Sequence, residues 1–495
     1  MYWLGIDIGT GGSRALLVDE QGRLKGACTS VHEDMMMLRP MWAEQRPENW
    51  WDAAQNAVRG VLKQAGVDGK QVKGIGLSGQ MHGLVLLDEN DEVIRPALIW
   101  CDQRSQAQVD SINKTVTVQT VLKYTANPVV TGFTLPKLLW VRDNEPAQFA
   151  RVRKVLLPKD YIRFKLTGEY ASEVSDASGT SLFDVVHRQW SYEMADALGL
   201  DRSILPKVYE SAEITGNVTP AVAESLGLNP GVPVAGGGGD QAASAVGNGI
   251  VQSGIMSCTL GTSGVVFAHM DEPHYDPKGR VHTFCHAVPR KWHVMGVTQG
   301  AGLSLQWLRN QLTPGQEYDS LTKEASSAEP GSQGLFWLPY LMGERTPHLD
   351  ATARATWVGL TARHTRADLI RSVIEGVSFS QKDGLDIIEG MGVPVSAVRV
   401  SGGGAKSPFW RQLLADILNK PVVTLDTQEG SAYGAALLGM VATGAFPSVE
   451  DACRATIHEV SRTEPRPDQA KRYAEAHKTY QAIYPALKPI YAMIS

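Results

Sequence analysis

Two stretches of this chain, about 250 residues apart, share the same plan, and that repetition limits the possible folds more than any other feature. Leu4-Gly-Ile-Asp7-Ile-Gly9-Thr10-Gly-Gly-Ser-Arg14-Ala-Leu-Leu-Val18 reads as an apolar strand, a Gly-Thr turn and a second apolar strand. Ser257-Cys-Thr-Leu-Gly261-Thr262-Ser263-Gly264-Val-Val-Phe267 reads the same way. An apolar run that turns on glycine and returns is an antiparallel hairpin. One such hairpin opening each half of the chain predicts an internally duplicated fold.

The segments C-terminal to each hairpin agree with duplication. In the first half, Gln21-Gly22 turns the chain into a third strand over 23–31. Trp51, Ala54, Val58, Val61, Leu62 and Ala65 recur at helical spacing within Asn49 to Ala65, and Val72 to Leu77 reads as a buried strand. A meander leading into helix and strand is an α/β arrangement with a mixed sheet. The second half closes with a strand over Val398 to Val400, a helix over Pro408 to Leu418, a strand over Val422 to Leu425 and a helix over Ser431 to Thr443. Residues 105–230, mostly helical and punctuated by proline, are expected to elaborate the first domain, and 468–494 to be a helix packed back on the body. A boundary near 247–255 gives domains at 1–250 and 251–495.

Length and composition fit this division. A chain of 495 residues exceeds one ordinary core, and 43% hydrophobic with 20% charged residues is a normal globular balance. A net charge of −5 without a polybasic run argues against nucleic acid or an anionic membrane as partner. Cys28, Cys101, Cys258, Cys285 and Cys453 are scattered and form no C-x-x-C pair, so neither a disulfide framework nor a zinc site of that type is expected. His282, Cys285, His286 and His293 lie close in sequence but lack the usual ligand spacing. With no leader pattern and no long apolar window, the expected compartment is the cytoplasm.

Four glycine-rich constellations carry the chemistry. Phosphoryl transfer needs converging N–H donors and room for an anion to approach the backbone. The Gly9-Thr10-Gly11 and Gly261-Thr262 turns meet that need, and Asp7 at the strand end is suited to Mg²⁺. Taken singly, each turn reads first as an unliganded hairpin, and Asp7 just before the first turn is what shifts that reading. Asp240, after a strand and Gly236 to Gly239, is placed as a general base for a hydroxyl, with helix N-capping as its plainer reading. His82 in Gly79-Gln80-Met81-His82-Gly83 sits at a strand end where it can meet a polyol. Trp100, ending an apolar run, reads by pattern alone as core packing. Gly402-Gly403-Gly404 between strand and helix offers bare backbone to a flat base. No Walker loop and no G-x-G-x-x-G after a first strand is present.

Two longer segments fix a resemblance. Gly132-Phe-Thr134-Leu-Pro-Lys137-Leu-Leu-Trp140-Val-Arg-Asp143-Asn144 is one. Ala355-Thr-Trp-Val-Gly359-Leu360, with Asp368-Leu-Ile-Arg-Ser-Val-Ile-Glu375 seven residues further on, is the other. Both are similar to the signatures of the FGGY family of carbohydrate kinases, within the actin-like ATPase superfamily, and the likeness covers nearly the whole chain. It implies two actin-like (ribonuclease H-like) α/β domains, each with a mixed five-stranded sheet flanked by helices, and a cleft between them. The segments Gly79 to Gly83, Leu156 to Tyr161 and Pro339 to Pro347 most resemble the members that phosphorylate D-xylulose.

By that resemblance Asp240 is the catalytic base, and Met81, His82, Trp100 and Gln241 contact the sugar. Thr10, Gly11, Gly261, Thr262, Gly302, Gln306, Gly403, Gly404 and Ser407 surround ATP, and Asp7 holds Mg²⁺. Gly302 and Gln306 lie in Ala301-Gly-Leu-Ser-Leu-Gln306-Trp307, which by pattern is only an amphipathic helix. Gln241 departs from the Asn frequent in such kinases, and Ser407 stands where relatives can carry Asn. The implied activity is in-line transfer from ATP to D-xylulose, a His82–Asp240 polar pair facing the cleft. Expected partners are a small sugar and ATP, with a homodimer as the assembly. The alternatives are a kinase for L-ribulose, L-fuculose, gluconate or glycerol, or a non-metabolic actin-like ATPase.

Overall fold

A computed structural model describes residues 1–427 and 429–494. The first sheet contains β1 (Tyr2–Ile8), β2 (Gly12–Asp19), β3 (Leu24–Val31), β4 (Val72–Gly79), β5 (Ile214–Asn217), β6 (Pro233–Ala235) and β7 (Gly238–Gly239). Its order is β5-β6-β4-β1-β2-β3, with β7 pairing on the end of β4. The second sheet contains β8 (Gly254–Leu260), β9 (Gly264–Met270), β10 (His282–Cys285), β11 (Trp292–Thr298), β12 (Val395–Gly402), β13 (Val422–Leu425) and β14 (Glu459–Thr463). Its order is β10-β11-β9-β8-β12-β13-β14.

The duplication read from the two hairpins is therefore present in the topology. β3-β2-β1-β4-β6 and β11-β9-β8-β12-β13 are the same five-strand arrangement, three antiparallel strands and then two parallel ones. The expected five strands per sheet are thus the core only. Each sheet has seven among the described residues, because β5 and β7 extend the first and β10 and β14 the second. Edge additions of two to five residues carry little apolar periodicity, which is why the sequence shows only the longer strands.

Helices cover the sheets as the 3.6-residue spacing requires. α1 (Pro47–Ala65) buries Trp50, Ala54, Ala57, Val58, Val61 and Leu62 along one face, begins with proline in its first turn and ends on left-handed Gly66. The region 105–230 contains helices, including α2 (Thr134–Asn144), together with short strand pairs that sequence pattern alone does not announce. α3 (Asp240–Gly247) leaves the first sheet at β7. In the second half α4 (Ala301–Leu312), α5 (Arg366–Gly390) and α6 (Pro408–Leu418) flank the sheet.

α7 (Gly430–Ala442) belongs to the second half in sequence but lies against the first half in space. A Cβ on Gly5 or Gly76 would come within 1.9 or 1.7 Å of the Ala432 or Ala435 carbonyl, and one on Gly434 within 1.8 Å of the Ala243 carbonyl. α8 (Pro467–Ile494) packs back on α5, with His477 Nε2 2.9 Å from Asp383 Oδ1 and the Tyr473 hydroxyl donating to Glu375 Oε1 at 2.6 Å. Among the described residues no helix is long and apolar enough to cross a membrane.

Candidate active site

The two Gly-Thr turns stand at the ends of equivalent strands, β1 and β8. Among the described residues no hydrogen bond within the chain uses the N–H of Thr10, Gly11, Gly261 or Thr262. Each turn therefore presents unspent backbone donors, the requirement for an anion cradle. The Thr10 hydroxyl is already engaged, accepting from Trp100 Nε1 at 2.9 Å and reaching Gln80 Oε1 at 3.3 Å. The Thr10 carbonyl takes Gln45 Nε2 at 2.7 Å, and Gln45 Oε1 takes Trp50 Nε1 and Gln80 Nε2 at 3.1 Å each. Gln45 thus ties the first turn to the Gly79 to Gly83 segment, which sequence reasoning missed because it acts across 35 residues in both directions.

Seven of the residues expected around ATP come together. Gly261, Thr262, Gly302, Gln306, Gly403, Gly404 and Ser407 line one cavity of about 610 Å³, whose wall also includes Tyr318, Lys406 and Trp410 and the carboxylates Glu317 and Asp319. The start of α4 rests directly on the second turn: Gly302 N–H donates to the Gly261 carbonyl at 2.7 Å, and a Cβ on Gly302 would lie 2.5 Å from that oxygen. A helix N-terminus beside free turn amides concentrates positive potential where phosphate oxygens would sit. A Cβ on Gly403 would meet nothing within 4 Å, so this backbone is open to a ligand. Ser407 lines the cavity, but its hydroxyl caps α6 by accepting from Trp410 N–H at 3.3 Å. Thr10 and Gly11 belong to the opposite sheet and do not line this cavity.

Asp240 is the first residue of α3, placed by β7 alongside Ser78 and Gly79. The four preceding glycines admit the chain itself. A Cβ on Gly237 would lie 2.0 Å from the Leu77 carbonyl, and one on Gly239 would lie 2.8 Å from Met81 Cγ. Gly237 also has φ of 73°, a conformation that glycine adopts without penalty. Gly239 N–H is held by Ser175 Oγ at 3.1 Å, and Ser175 in turn donates to Glu173 Oε1 at 2.9 Å. Burial and the neighbouring Asp7 carboxylate push the Asp240 carboxyl up to about 7, against the pull of Gln241 donors. Asp7 is itself raised by burial, and its Oδ1 is buried without an internal partner.

His82 does not pair with Asp240. Its Nδ1 lies 2.8 Å from the Gly179 carbonyl, which assigns the ring proton to Nδ1 and leaves Nε2 as an acceptor without a partner among the described residues. Burial holds the imidazole well below its usual range, so it is neutral and can accept a hydroxyl proton donor. Its ring stacks on Phe133 with centroids 4.3 Å apart. Met81 is buried in an apolar cluster with Phe133, Phe267 and Phe284. Trp100, for which the pattern suggested core packing, is 45% exposed and is oriented by its bond to Thr10.

The arrangement can do three things. It can bind an anion on turn amides, hold a polyhydroxyl compound against His82 and Trp100, and accept a proton at Asp240.

Residues 2–247 match the N-terminal domain, and residues 256–443 the C-terminal domain, of the FGGY family of carbohydrate kinases. The chain is 40% identical over 496 residues to the xylulose kinase of Escherichia coli strain K12, covering 99% of this chain and 100% of that one. It superposes on a "xyloylose kinase" from Brucella ovis with a TM-score of 0.94, at 39% identity over 99% of this chain and 100% of the other. A gluconate kinase from Lactobacillus acidophilus also gives 0.94, at 28% identity over 100% of this chain and 99% of the other.

Proposed function

The chain belongs to the FGGY family of carbohydrate kinases, and from that premise we propose that it transfers the γ-phosphate of ATP to the terminal hydroxyl of D-xylulose. The observation that carries the reading is Asp240: a half-buried carboxyl tuned to about 7, at a strand end beside the segment bearing Met81 and His82. D-Xylulose is favoured over other acceptors by the full-length likeness to a xylulose kinase at 40% identity. The cytoplasm, where ATP is kept, is the compartment this reading requires.

On this reading residues 1–250 hold the sugar and the base, and 251–495 hold ATP. The sugar lies against His82 Nε2, Trp100 and Gln241, with its terminal hydroxyl at Asp240. ATP occupies the cavity lined by Gly302, Gln306 and Gly403, and its phosphates extend to the amides of the two turns. Asp240 accepts the hydroxyl proton as the oxygen attacks the γ-phosphorus, the bond to the β-phosphate oxygen breaks, and ADP leaves. The residues present fit Mg²⁺: a hard cation takes a few carboxylate oxygens and fills its sphere with water and phosphate, and Asp7 offers a buried oxygen without a partner. Magnesium held near Asp7 would offset charge on the phosphate oxygens.

A second reading has its own observation. Arg345 forms no ion pair among the described residues, and its charge bears on both His82 and His282. A guanidinium outside any ion pair, with only the charge of the neighbouring Glu344 bearing on it, suits an anionic acceptor such as an aldonate. The roles are tested by Asp240→Asn: turnover falls by on the order of 10²–10⁴-fold while calorimetric binding of nucleotide and sugar persists. Near-normal phosphorylation by that variant would remove Asp240 from the role of base.

A further inference from the structure

The first signature segment, Gly132 to Asn144, takes no direct part in phosphoryl transfer, and it contains a costly feature. Lys137 is fully buried on α2, and although the charge of Asp102 bears on it, no carboxylate lies within ion-pair distance among the described residues. An ammonium group in such surroundings is expensive, and a leucine or methionine would pack there at lower cost. Burial pushes Lys137 down to about 7, consistent with this strain on its charge.

Its two hydrogen bonds show what the amine is for. Lys137 Nζ donates to the His82 carbonyl at 3.1 Å and to the Gly132 carbonyl at 2.6 Å. Thr134, one turn earlier on the same helix face, donates its hydroxyl to the same His82 carbonyl at 3.1 Å. Phe133 places its ring against the His82 imidazole. His82 has φ of 67°, the left-handed region that a residue with a Cβ enters only at a cost. That backbone turn carries the imidazole to Gly179, which fixes its proton on Nδ1 and leaves Nε2 without a partner among the described residues.

We propose that Thr134 and Lys137 are positioning residues for acceptor binding: by holding the His82 carbonyl they enforce the left-handed backbone that presents His82 Nε2 to the sugar. The inference rests on the reading of His82 as a sugar contact. It gives the signature segment a function, that of a buttress behind the acceptor pocket.

The test is a double-mutant cycle on initial rates with saturating Mg·ATP, using Thr134→Val, Thr134→Ser and His82→Ala. Thr134→Val should raise the KM for the acceptor about tenfold, the size of one lost hydrogen bond, with the KM for ATP unchanged. Thr134→Ser, which keeps the donor, should restore it. In the His82→Ala background Thr134→Val should raise the acceptor KM no further. Lys137→Met should act in the same direction, and ¹⁵N spectra of its imidazoles should show His82 losing its single tautomer. An equal KM increase from Thr134→Val with and without His82, or acceptor and ATP KM values rising together, overturns the proposal. If the wild type prefers an acceptor other than D-xylulose, the cycle is run on that acceptor, and only the choice of sugar is lost. If it phosphorylates no acceptor at all, both readings fall.

Discussion

Asp240 can accept a proton only as the carboxylate, so if it is the base, as proposed, a carboxyl raised to about 7 makes activity depend on pH near neutrality. The kcat/KM for the sugar, which reports the free enzyme, should fall as pH drops through about 7. Asp7→Asn removes the neighbouring charge that helps to raise Asp240 and should move this acid limb to lower pH; an unmoved limb would separate the two carboxyls. Glu344 gives a stability counterpart. Its Oε1 accepts the Gln299 and Arg345 N–H groups at 2.8 Å each, while Oε2 is buried without a partner, and burial pushes it up to about 8. A carboxyl raised in the folded state costs stability as pH rises from its unfolded value, near 4.3 in free peptides, through the folded one. Glu344→Gln should therefore unfold at a higher temperature than wild type at pH 9, with the gap closing by pH 5, as differential scanning calorimetry would show. At this scale the sequence disclosed the residues standing beside glycine at strand ends, namely Asp7, His82 and Asp240. It did not disclose what Gln45, Ser175 and Lys137 do, because each makes a bond to a residue 35 to 64 positions away, which leaves no local pattern.

Glycines govern the elements, and their reasons differ from place to place. At Gly403 the backbone faces open space in the cavity it lines with Gln306 and Trp410, whereas Gly302 has no room for a side chain because α4 rests on the Gly261 carbonyl. Gly302→Ala should push the start of α4 off the turn and raise the KM for ATP with little change in the acceptor KM. Gly76 has neither role; it admits the Ala435 backbone of α7. Gly76→Ala should cost about 1–3 kcal/mol, the usual range for overpacking, measured as a shift in urea midpoint at unchanged slope. The long elements were legible because β1, β2, β8, β9 and α1 carry unbroken apolar periodicity. The short strands were not, and neither was the use of Gly236 to Gly239, since a glycine run does not say whether ligand or chain fills the space it leaves.

The two halves repeat one five-strand plan, yet they are not independent bodies. α7 crosses from the second half to pack on β1 and β4 of the first. Asn127 brackets the Thr283 peptide, donating from Nδ2 to its carbonyl at 2.7 Å and accepting its N–H at 3.0 Å, and Trp292 Nε1 donates to the Val185 carbonyl at 2.7 Å. The duplication was visible in the paired Gly-Thr hairpins, but these cross-contacts were not, because each joins segments more than 100 residues apart. On the proposed reading, transfer runs between a sugar held by one half and ATP held by the other. The most direct test is ADP release measured in a coupled assay with Mg·ATP over a panel of ketoses, polyols and aldonates, gluconate included. D-Xylulose should give the highest kcat/KM, and Asp240→Asn should lose that activity. A higher kcat/KM for gluconate or another acceptor, or ADP release that no sugar stimulates, would contradict transfer to D-xylulose.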